Sequence, residues 1–169
     1  MSVSFSTMGG IALFAGTQSK APRDWAFCNG QAMNISGNSA FFAILGNRYG
    51  GDMTSFALPS LEDIGECRHI IRVQGDFAMG QELPFVEAAE GNYDENFMGV
   101  ITKQDGDIPN GWIPCDGRTL GVKENQGLYG IIGHKFGSGS IDKFNIPDLN
   151  ALGDQKYIIC IKGGWPSFS

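Results

Sequence analysis

The sequence lacks the clusters of basic residues with which proteins bind nucleic acids or membrane surfaces. Its 12 Lys and Arg residues are scattered among 18 Asp and Glu residues, and the formal net charge is −6. A protein that binds phosphates normally shows a basic face. The sequence also has no apolar run of the roughly 18 residues that a membrane-spanning helix needs, and residues 1–10 lack the positive start and apolar stretch of a signal peptide. We therefore expect a soluble chain that binds neither nucleic acid nor a membrane.

Cysteine and histidine are few, and their spacing suits neither a metal site nor a disulfide framework. Cys28 and Cys115 occupy matching positions in a repeat described below, whereas Cys67 and Cys160 do not. A structural disulfide within each repeat would need both of its ends repeated, so we expect reduced thiols, with Cys28 and Cys115 as small buried hydrophobes. The absence of a Cys-x-x-Cys motif or a Cys/His cluster argues against a metal or cofactor site.

Patterns typical of a catalytic centre are missing as well. A nucleophile needs a base and an orienting partner beside it, but Cys28 and Cys115 lie in apolar runs that raise a thiol pKa and make the thiol inert. Residues 137–140, Gly-Ser-Gly-Ser, lack the strand and helix of a phosphate-binding loop. Asp52 and Asp63 are lone acids of the kind found in turns. We assign no catalytic residue and predict that the chain is not an enzyme.

Glycine, in contrast, is abundant and recurs in register. Gly accounts for 25 of 169 residues, about twice the usual share of about 7%, which is typical of a fold rich in tight turns. The stretch from Trp25 to Leu61 recurs from Trp112 to Leu149, first at an offset of 87 residues and then, after one insertion, at 88. The matching residues are Trp25, Cys28, Gly30, Gly46, Gly50, Phe56 and Pro59 in the first copy and Trp112, Cys115, Gly117, Gly133, Gly137, Phe144 and Pro147 in the second. So specific a repeat indicates a tandem duplication.

Each copy contains one stretch with helical periodicity. Apolar residues at i, i+3 and i+4 predict a short helix over 38–45 in the first copy and over 124–132 in the second. Asn38 or Ser39 is expected to cap the first helix at its start. Gly46 and Gly133 lie where a left-handed residue would close the last turn.

Short strands are predicted around these helices. The apolar run 11–15, and 98–102 in the second copy, predict a first strand. The dipeptides Asn-Gly at 29–30 and Asp-Gly at 116–117 favour two-residue hairpin turns after the strand that each Trp begins. Apolar runs at 69–73 and 157–161 predict the last strand of each copy.

These elements indicate an α+β fold in two small domains, residues 1–78 and 97–169, related by a pseudo-twofold axis or by a repeat rotation. Between them, residues 79–96 carry five acidic side chains and no basic one, a composition typical of a solvated linker. An alternative is that Phe85 and Val86 dock on a neighbouring copy while the acids face solvent.

The repeated motifs resemble the phage tail collar domain family, which includes the microcystin-dependent proteins. The shared string is Pro, Trp-x-x-Cys-Asn/Asp-Gly, a short helix ending in Leu-Gly, Tyr-Gly-Gly and Phe-x-Leu-Pro-x-Leu. The first copy meets it with Pro22, Trp25, Cys28, Asn29, Gly30, Leu45, Gly46, Tyr49, Gly50, Gly51, Phe56, Leu58, Pro59 and Leu61. The second copy departs at Ser138 and Ile146 but keeps Trp112, Cys115, Asp116, Gly117, Phe144, Pro147 and Leu149. The resemblance covers nearly all of the chain.

This resemblance implies a structural protein of a bacteriophage virion or phage-tail-like particle, assembled in the host cytoplasm. Its domains are similar to small α+β units of tail fibres that commonly form trimers. Since the chain shows no repetitive shaft or separate tip, we expect a collar, adaptor, fibre-attachment or decoration component that binds itself and other particle proteins. A homotrimer with two copies per chain would give six domains in a pseudo-sixfold ring.

An alternative function is a surface-binding or carbohydrate-binding module. Trp25, Trp112 and Trp165 offer aromatic faces on which a host-surface glycan could stack. Trp25 and Trp112, however, have the same place in both copies and apolar neighbours, which favours a role in the core. Trp165 stands alone near the C-terminus.

Overall fold

The computed structural model describes residues 8–75, 97–104, 106–137, 140–150 and 156–168. Within these ranges the first half contains β1 (Ile11–Phe14), β2 (Trp25–Phe27), β3 (Ala32–Asn34), α1 (Ser39–Leu45), β4 (Ser55–Ala57) and β5 (Arg68–Arg72). The second half repeats this order with β6 (Val100–Lys103), β7 (Trp112–Pro114), β8 (Thr119–Gly121), a 3-10 turn (Lys123–Asn125), α2 (Gln126–Ile132), β9 (Lys143–Asn145) and β10 (Tyr157–Cys160). Short strands with one short helix per half confirm the predicted α+β class.

One antiparallel sheet runs through both halves. Among the described residues it has six strands in the order β2-β5-β1-β6-β10-β7. This order is palindromic, because β6, β10 and β7 are the counterparts of β1, β5 and β2. At the centre β1 pairs with β6, Leu13 opposite Ile101 and Phe14 opposite Val100. The antiparallel pairing of two equivalent strands relates the halves by a pseudo-twofold axis.

The predicted linker, residues 79–96, lies outside the described residues, and the predicted domain boundaries stay a prediction.

The first strand of the second half begins two residues later than predicted. Gly9 and Gly99 hold equivalent places, with φ of +88° and +90°. Each of them donates its N–H to the end of the paired strand, Gly9 to Arg72 O at 2.9 Å and Gly99 to Cys160 O at 3.0 Å. These glycines are 90 residues apart, so the first half has three more residues before its Trp. The repeat offset of 87 residues missed this shift, because the apolar runs 11–15 and 98–102 match equally well by residue type.

The predicted hairpins at 29–30 and 116–117 are wrong. Gly30 and Gly117 do take positive φ, +80° and +75°, but β2 pairs with β5, and β3 pairs with β4 in a separate small sheet. The two N–H groups instead donate to Pro59 O and Pro147 O, each at 3.2 Å. The turn therefore passes the chain from the large sheet to the small one.

The helix ends agree with the sequence better than the helix starts. Gly46 and Gly133 follow the last turns of α1 and α2 with φ of +62° and +56°, as predicted. Asn38, one of the two predicted capping residues, is the N-cap residue of α1, but its side chain makes no bond to the helix N–H groups. Asn38 Nδ2 donates instead to Asn34 O at 2.9 Å, which fixes the loop that leads into α1.

Two groups of buried side chains form the core. The smaller group packs α1 against β5 and includes Phe41, Phe56 and Ile71. The larger group surrounds α2 and the sheet centre, and it takes Phe14 and Trp25 from the first half. Buried apolar side chains are the main source of folding free energy, so the first half depends on the second for part of its core.

Candidate functional site

Both Trp residues of the repeated motif are core residues. Trp25 and Trp112 begin β2 and β7 and are almost completely buried. The ring of Trp25 meets Phe97 edge to face at 6.0 Å between centroids. Arg72 also lies over the Trp25 ring, with Cζ 5.8 Å from its centroid. Neither buried indole offers a stacking face to a glycan, and they anchor the two outer strands to the core.

The motif cysteines are also buried, and their backbone holds the end of each outer strand. Cys28 donates its N–H to His69 O at 3.0 Å, and Cys115 donates to Tyr157 O at 2.9 Å. All four cysteines of the chain are free thiols, as predicted. Burial raises the pKa of Cys28 and of Cys67 to about 12 and raises the pKa of Cys115 still further. Since the thiolate is the reactive form, these thiols are chemically inert near neutral pH.

The remaining motif residues build the same framework twice. Gly50 and Gly137 accept N–H groups from Ala57 and Asn145, each at 3.0 Å, which ties the loop after each helix to β4 or β9. The other motif residues contribute to the interior: Phe56, Pro59, Phe144 and Pro147 are buried. The structure thus brings the predicted site residues together as two equivalent frameworks, and none of them offers an exposed reactive group.

A small cavity lies at the pseudo-twofold axis. It measures about 80 Å³ and is lined by equivalent pairs of residues, among them His69 with Tyr157 and Leu13 with Lys103. The Lys103 ammonium lies 5.9 Å from the centroid of the Tyr157 ring. This volume holds a few water molecules, whose share in the liquid is about 30 Å³ each, so it is too small for an organic ligand.

A larger groove, which sequence reasoning missed, runs along the outer strand β2. We call it the β2 groove; it measures about 430 Å³ and is lined by residues 19–27, Asn29, Gln31 and Phe168. The C-terminal segment borders it, since the Arg23 N–H donates to Ser167 O. The only sequence signal was the poor match between the two copies at Arg23-Asp24 and Ala26-Phe27.

Trp165 is the one tryptophan that reaches the surface. Its side chain is 59% exposed, and its ring lies against α2, where a Cβ added to Gly130 would stand 3.1 Å from Cη2. Part of the ring therefore packs on the helix, and the rest faces solvent.

The described part of the chain has no helix with the length and apolarity of a membrane span. Across the same residues, no three His, Cys, Asp or Glu side chains are grouped so as to hold a metal ion.

Comparison with known proteins gives one match. No curated protein and no solved structure is significantly similar to the chain. A family model described as the phage tail collar domain matches residues 9–64 and 99–152, one region in each half and together more than half of the sequence. This family is a structural one of phage tails, which implies a virion component. The chain belongs to the phage tail collar domain family and contains two copies of the domain.

Proposed function

We propose that the chain is an adaptor or collar component of a phage tail or related particle, working as a homotrimer that connects two different partners. The family supports a structural role in the tail. The observation that carries the finer proposal is the contrast between a duplicated framework and diverged outer strands. Phe27 and Arg23 at the β2 edge correspond to Pro114 and Asn110 at the β7 edge. Two copies with one framework and different outer surfaces suit a component that binds unlike neighbours.

Two exposed apolar side chains support self-assembly. Met53 and Ile141 occupy equivalent loop tips before β4 and β9, and their side chains are 96% and 88% exposed. A single exposed apolar residue on a protein surface is ordinary. These two recur at one position in both copies although the residue type has changed, which supports a contact that both copies make. We assign both tips to the contacts between chains of the trimer.

Light scattering tests the trimer. The purified chain should show a mass about three times its 18.2 kDa, and the double variant Met53→Gln/Ile141→Gln should shift the mass toward that of one chain. Ile108→Gln is the matched control, because Ile108 is a half-exposed apolar residue outside the loop tips. A mass near 18.2 kDa for the unaltered chain at micromolar concentration would contradict the trimer.

The particle itself tests the structural role. Purified particles from cells that make this chain should contain it in fixed proportion to the other tail proteins, as measured by quantitative mass spectrometry. Particles complete without the chain would contradict the proposal, whatever its oligomeric state.

A further inference from the structure

We infer that β2 is a strand-addition site, at which an extended segment of a partner protein pairs with the edge of the sheet, and that the second half has lost the equivalent site. This inference concerns one edge of one half, and it stands whether or not the chain forms trimers. Three features carry it: the direction of the backbone groups at β2, a proline at the matching place in β7, and the charges around the β2 groove.

The backbone of Phe27 faces away from the sheet. Cys28 donates its N–H to His69 O, and Asp24 O accepts the N–H of Val73, so these two residues bond toward β5. Antiparallel pairing alternates between residues that bond inward and residues that bond outward. Phe27 is opposite Ile70 in a non-hydrogen-bonded pair, so its backbone groups belong to the residues that bond outward. Its N–H and C=O therefore point to the outer edge, where an added strand would pair. The Phe27 C=O accepts a long hydrogen bond from Gln31 Nε2 at 3.4 Å, which an added strand would replace.

In β7 the same position is closed. Cys115 donates its N–H to Tyr157 O, and Gly111 O accepts the N–H of Ile161, so the residue facing outward is Pro114. Proline has no N–H and cannot donate to an added strand at that edge, and the Pro114 C=O already accepts the N–H of Asp116 at 2.9 Å. Proline on an edge strand is a known device against unwanted pairing. One end of the sheet is therefore blocked to a partner that needs a donor, whereas no strand of the described residues pairs with the outer edge of β2 at the other end.

The β2 groove has a charge that the matching surface of the second half lacks. Lys20 and Arg23 line the groove, and Asp24 is compensated by Arg72, whose Nη2 lies 3.7 Å from the Asp24 carboxylate. Five and two residues before its Trp, where the first half has Lys20 and Arg23, the second half has Asp107 and Asn110. The groove is a local basic site on a chain whose net charge is −6, so it favours a segment that carries carboxylates.

Apolar side chains complete the groove. Trp25, Phe27 and Phe168 all line it. Trp25 is almost completely buried and forms the floor of the groove, whereas Phe27 and Phe168 are partly exposed. Successive side chains of an extended segment point to opposite sides, so a segment with alternating apolar and acidic residues would place the first kind against Phe27 and Phe168 and the second toward Lys20 and Arg23. The occupant is thus an extended apolar and acidic segment of another polypeptide. A second copy of β2 fits less well, because it would bring two sets of the same basic residues into one interface.

A synthetic peptide tests this site directly. The probe is an eight-residue peptide of alternating valine and glutamate with a terminal fluorophore, and its binding to the full chain is measured by fluorescence anisotropy. Phe27→Pro removes both the ring and the N–H and should weaken binding by at least about tenfold. Phe27→Ala removes the same ring but keeps the N–H, so it should bind about tenfold more tightly than Phe27→Pro, the equivalent of one hydrogen bond. Pro114 shows that the fold accepts proline at this position of the strand.

Two further arms do not depend on how Phe27→Pro folds. The same peptide with its outward backbone amides methylated should lose about tenfold in affinity for the unaltered chain. The double variant Lys20→Glu/Arg23→Glu should bind the glutamate peptide at least about tenfold more weakly and should prefer a valine and lysine peptide. Equal binding to the methylated and unmethylated peptides, equal binding to Phe27→Pro and Phe27→Ala, or no binding to the unaltered chain at millimolar peptide would overturn the inference. If the chain without peptide self-associates, and Phe27→Pro abolishes that self-association, the occupant of the β2 edge is a second copy of the chain. That result would overturn the assignment to another polypeptide.

Discussion

Gly46 and Gly133 end their helices in a backbone conformation that is almost restricted to glycine. Gly46 has φ +62° and ψ −157°, and Gly133 has φ +56° and ψ −144°. A Cβ at either position would meet no described atom within 4 Å. Any cost of a larger residue therefore comes from the backbone conformation and not from crowding.

Replacing either glycine by alanine should destabilise the chain by about 1–3 kcal/mol, the usual cost of a residue held in a disfavoured conformation. Urea unfolding of Gly46→Ala and Gly133→Ala measures this cost. The two sites lie in different halves, so the double variant should show the sum of the two single effects. A loss below about 0.5 kcal/mol at both sites, the size of an ordinary surface substitution, would show that the helices can end in another way.

The cysteines make the stability of the chain sensitive to alkaline pH. The pKa of Cys28 is raised from 9.0 to about 12 by burial, and that of Cys67 is raised likewise. Above pH 9 the unfolded chain loses the thiol proton, whereas the folded chain keeps it until about pH 12. The folded state then binds more protons, so its stability must fall as pH rises through this window.

Each buried thiol should contribute a decrease of up to about 1.4 kcal/mol per pH unit in the free energy of unfolding between pH 10 and 11. Cys28→Ala should lower stability at pH 7 but reduce this slope by that amount, as chemical denaturation at several pH values would show. Cys115→Ala is the matched variant in the other half. An unchanged slope in both variants would mean that the thiols ionise equally well in the folded chain.

At this scale the sequence predicted most of what the structure shows. Buried Trp25 and Trp112, free thiols and helix-ending glycines followed from residue type together with exact recurrence. The hydrogen bond of the Asn38 side chain did not follow from the sequence, because an amide can donate as well as accept and the sequence does not show which bond forms. Asn125 repeats the arrangement, with its Nδ2 donating to Gly121 O at 3.1 Å, so the repeat could have identified the two residues as equivalent but not their bonding partner.

At the scale of elements, α1 and α2 differ on one face. Where α1 has Ala40 and Ala43, α2 has Gly127 and Gly130, and Trp165 lies over that face of α2. Glycine inside a helix is less favourable than alanine by roughly 1 kcal/mol. The contact with Trp165 accounts for the glycine, since a Cβ on Gly130 would press on the indole at 3.1 Å.

A double-mutant cycle tests this account. Gly130→Ala should stabilise the Trp165→Ala variant by roughly 1 kcal/mol and should stabilise the unaltered chain by less, because there the new methyl group meets the indole. The free energies of unfolding of the four proteins give the coupling. The same gain with and without Trp165 would show that the ring does not restrict the helix.

The strands were harder to predict than the helices. The three-residue strands β3 and β8 have no clear alternation of apolar and polar residues, and their pairing with β4 and β9 depends on the turn at Gly30 or Gly117. The β2 groove was not predicted, since it arises where residues 19–31 meet Phe168 from the other end of the chain. A single sequence gives no signal for such a long-range meeting.

At the scale of the molecule, the palindromic sheet changes the expected symmetry of an assembly. A pseudo-sixfold ring needs neighbouring copies related by the same rotation, with a head-to-tail contact between them. The two copies in this chain meet instead through like strands, β1 against β6, about a pseudo-twofold axis. If all six domain copies of a homotrimer are equivalent, their symmetry is dihedral. The three chains are then related by a threefold axis, and the pseudo-twofold axis within each chain is perpendicular to it.

The two ends of such a trimer would differ only through the divergence of the copies. One end would carry three first halves with β2 at the sheet edge, and the other end would carry three second halves with Pro114 at the matching place in β7. This arrangement suits an adaptor between two threefold partners better than one between threefold and sixfold partners.

Electron microscopy of the purified trimer should therefore show threefold class averages along the axis and nearly twofold side views. An antibody fragment raised against the β2 groove should label one end only. Six equal lobes in a ring, or labelling at both ends, would contradict the dihedral arrangement and leave the pseudo-sixfold ring as the better account.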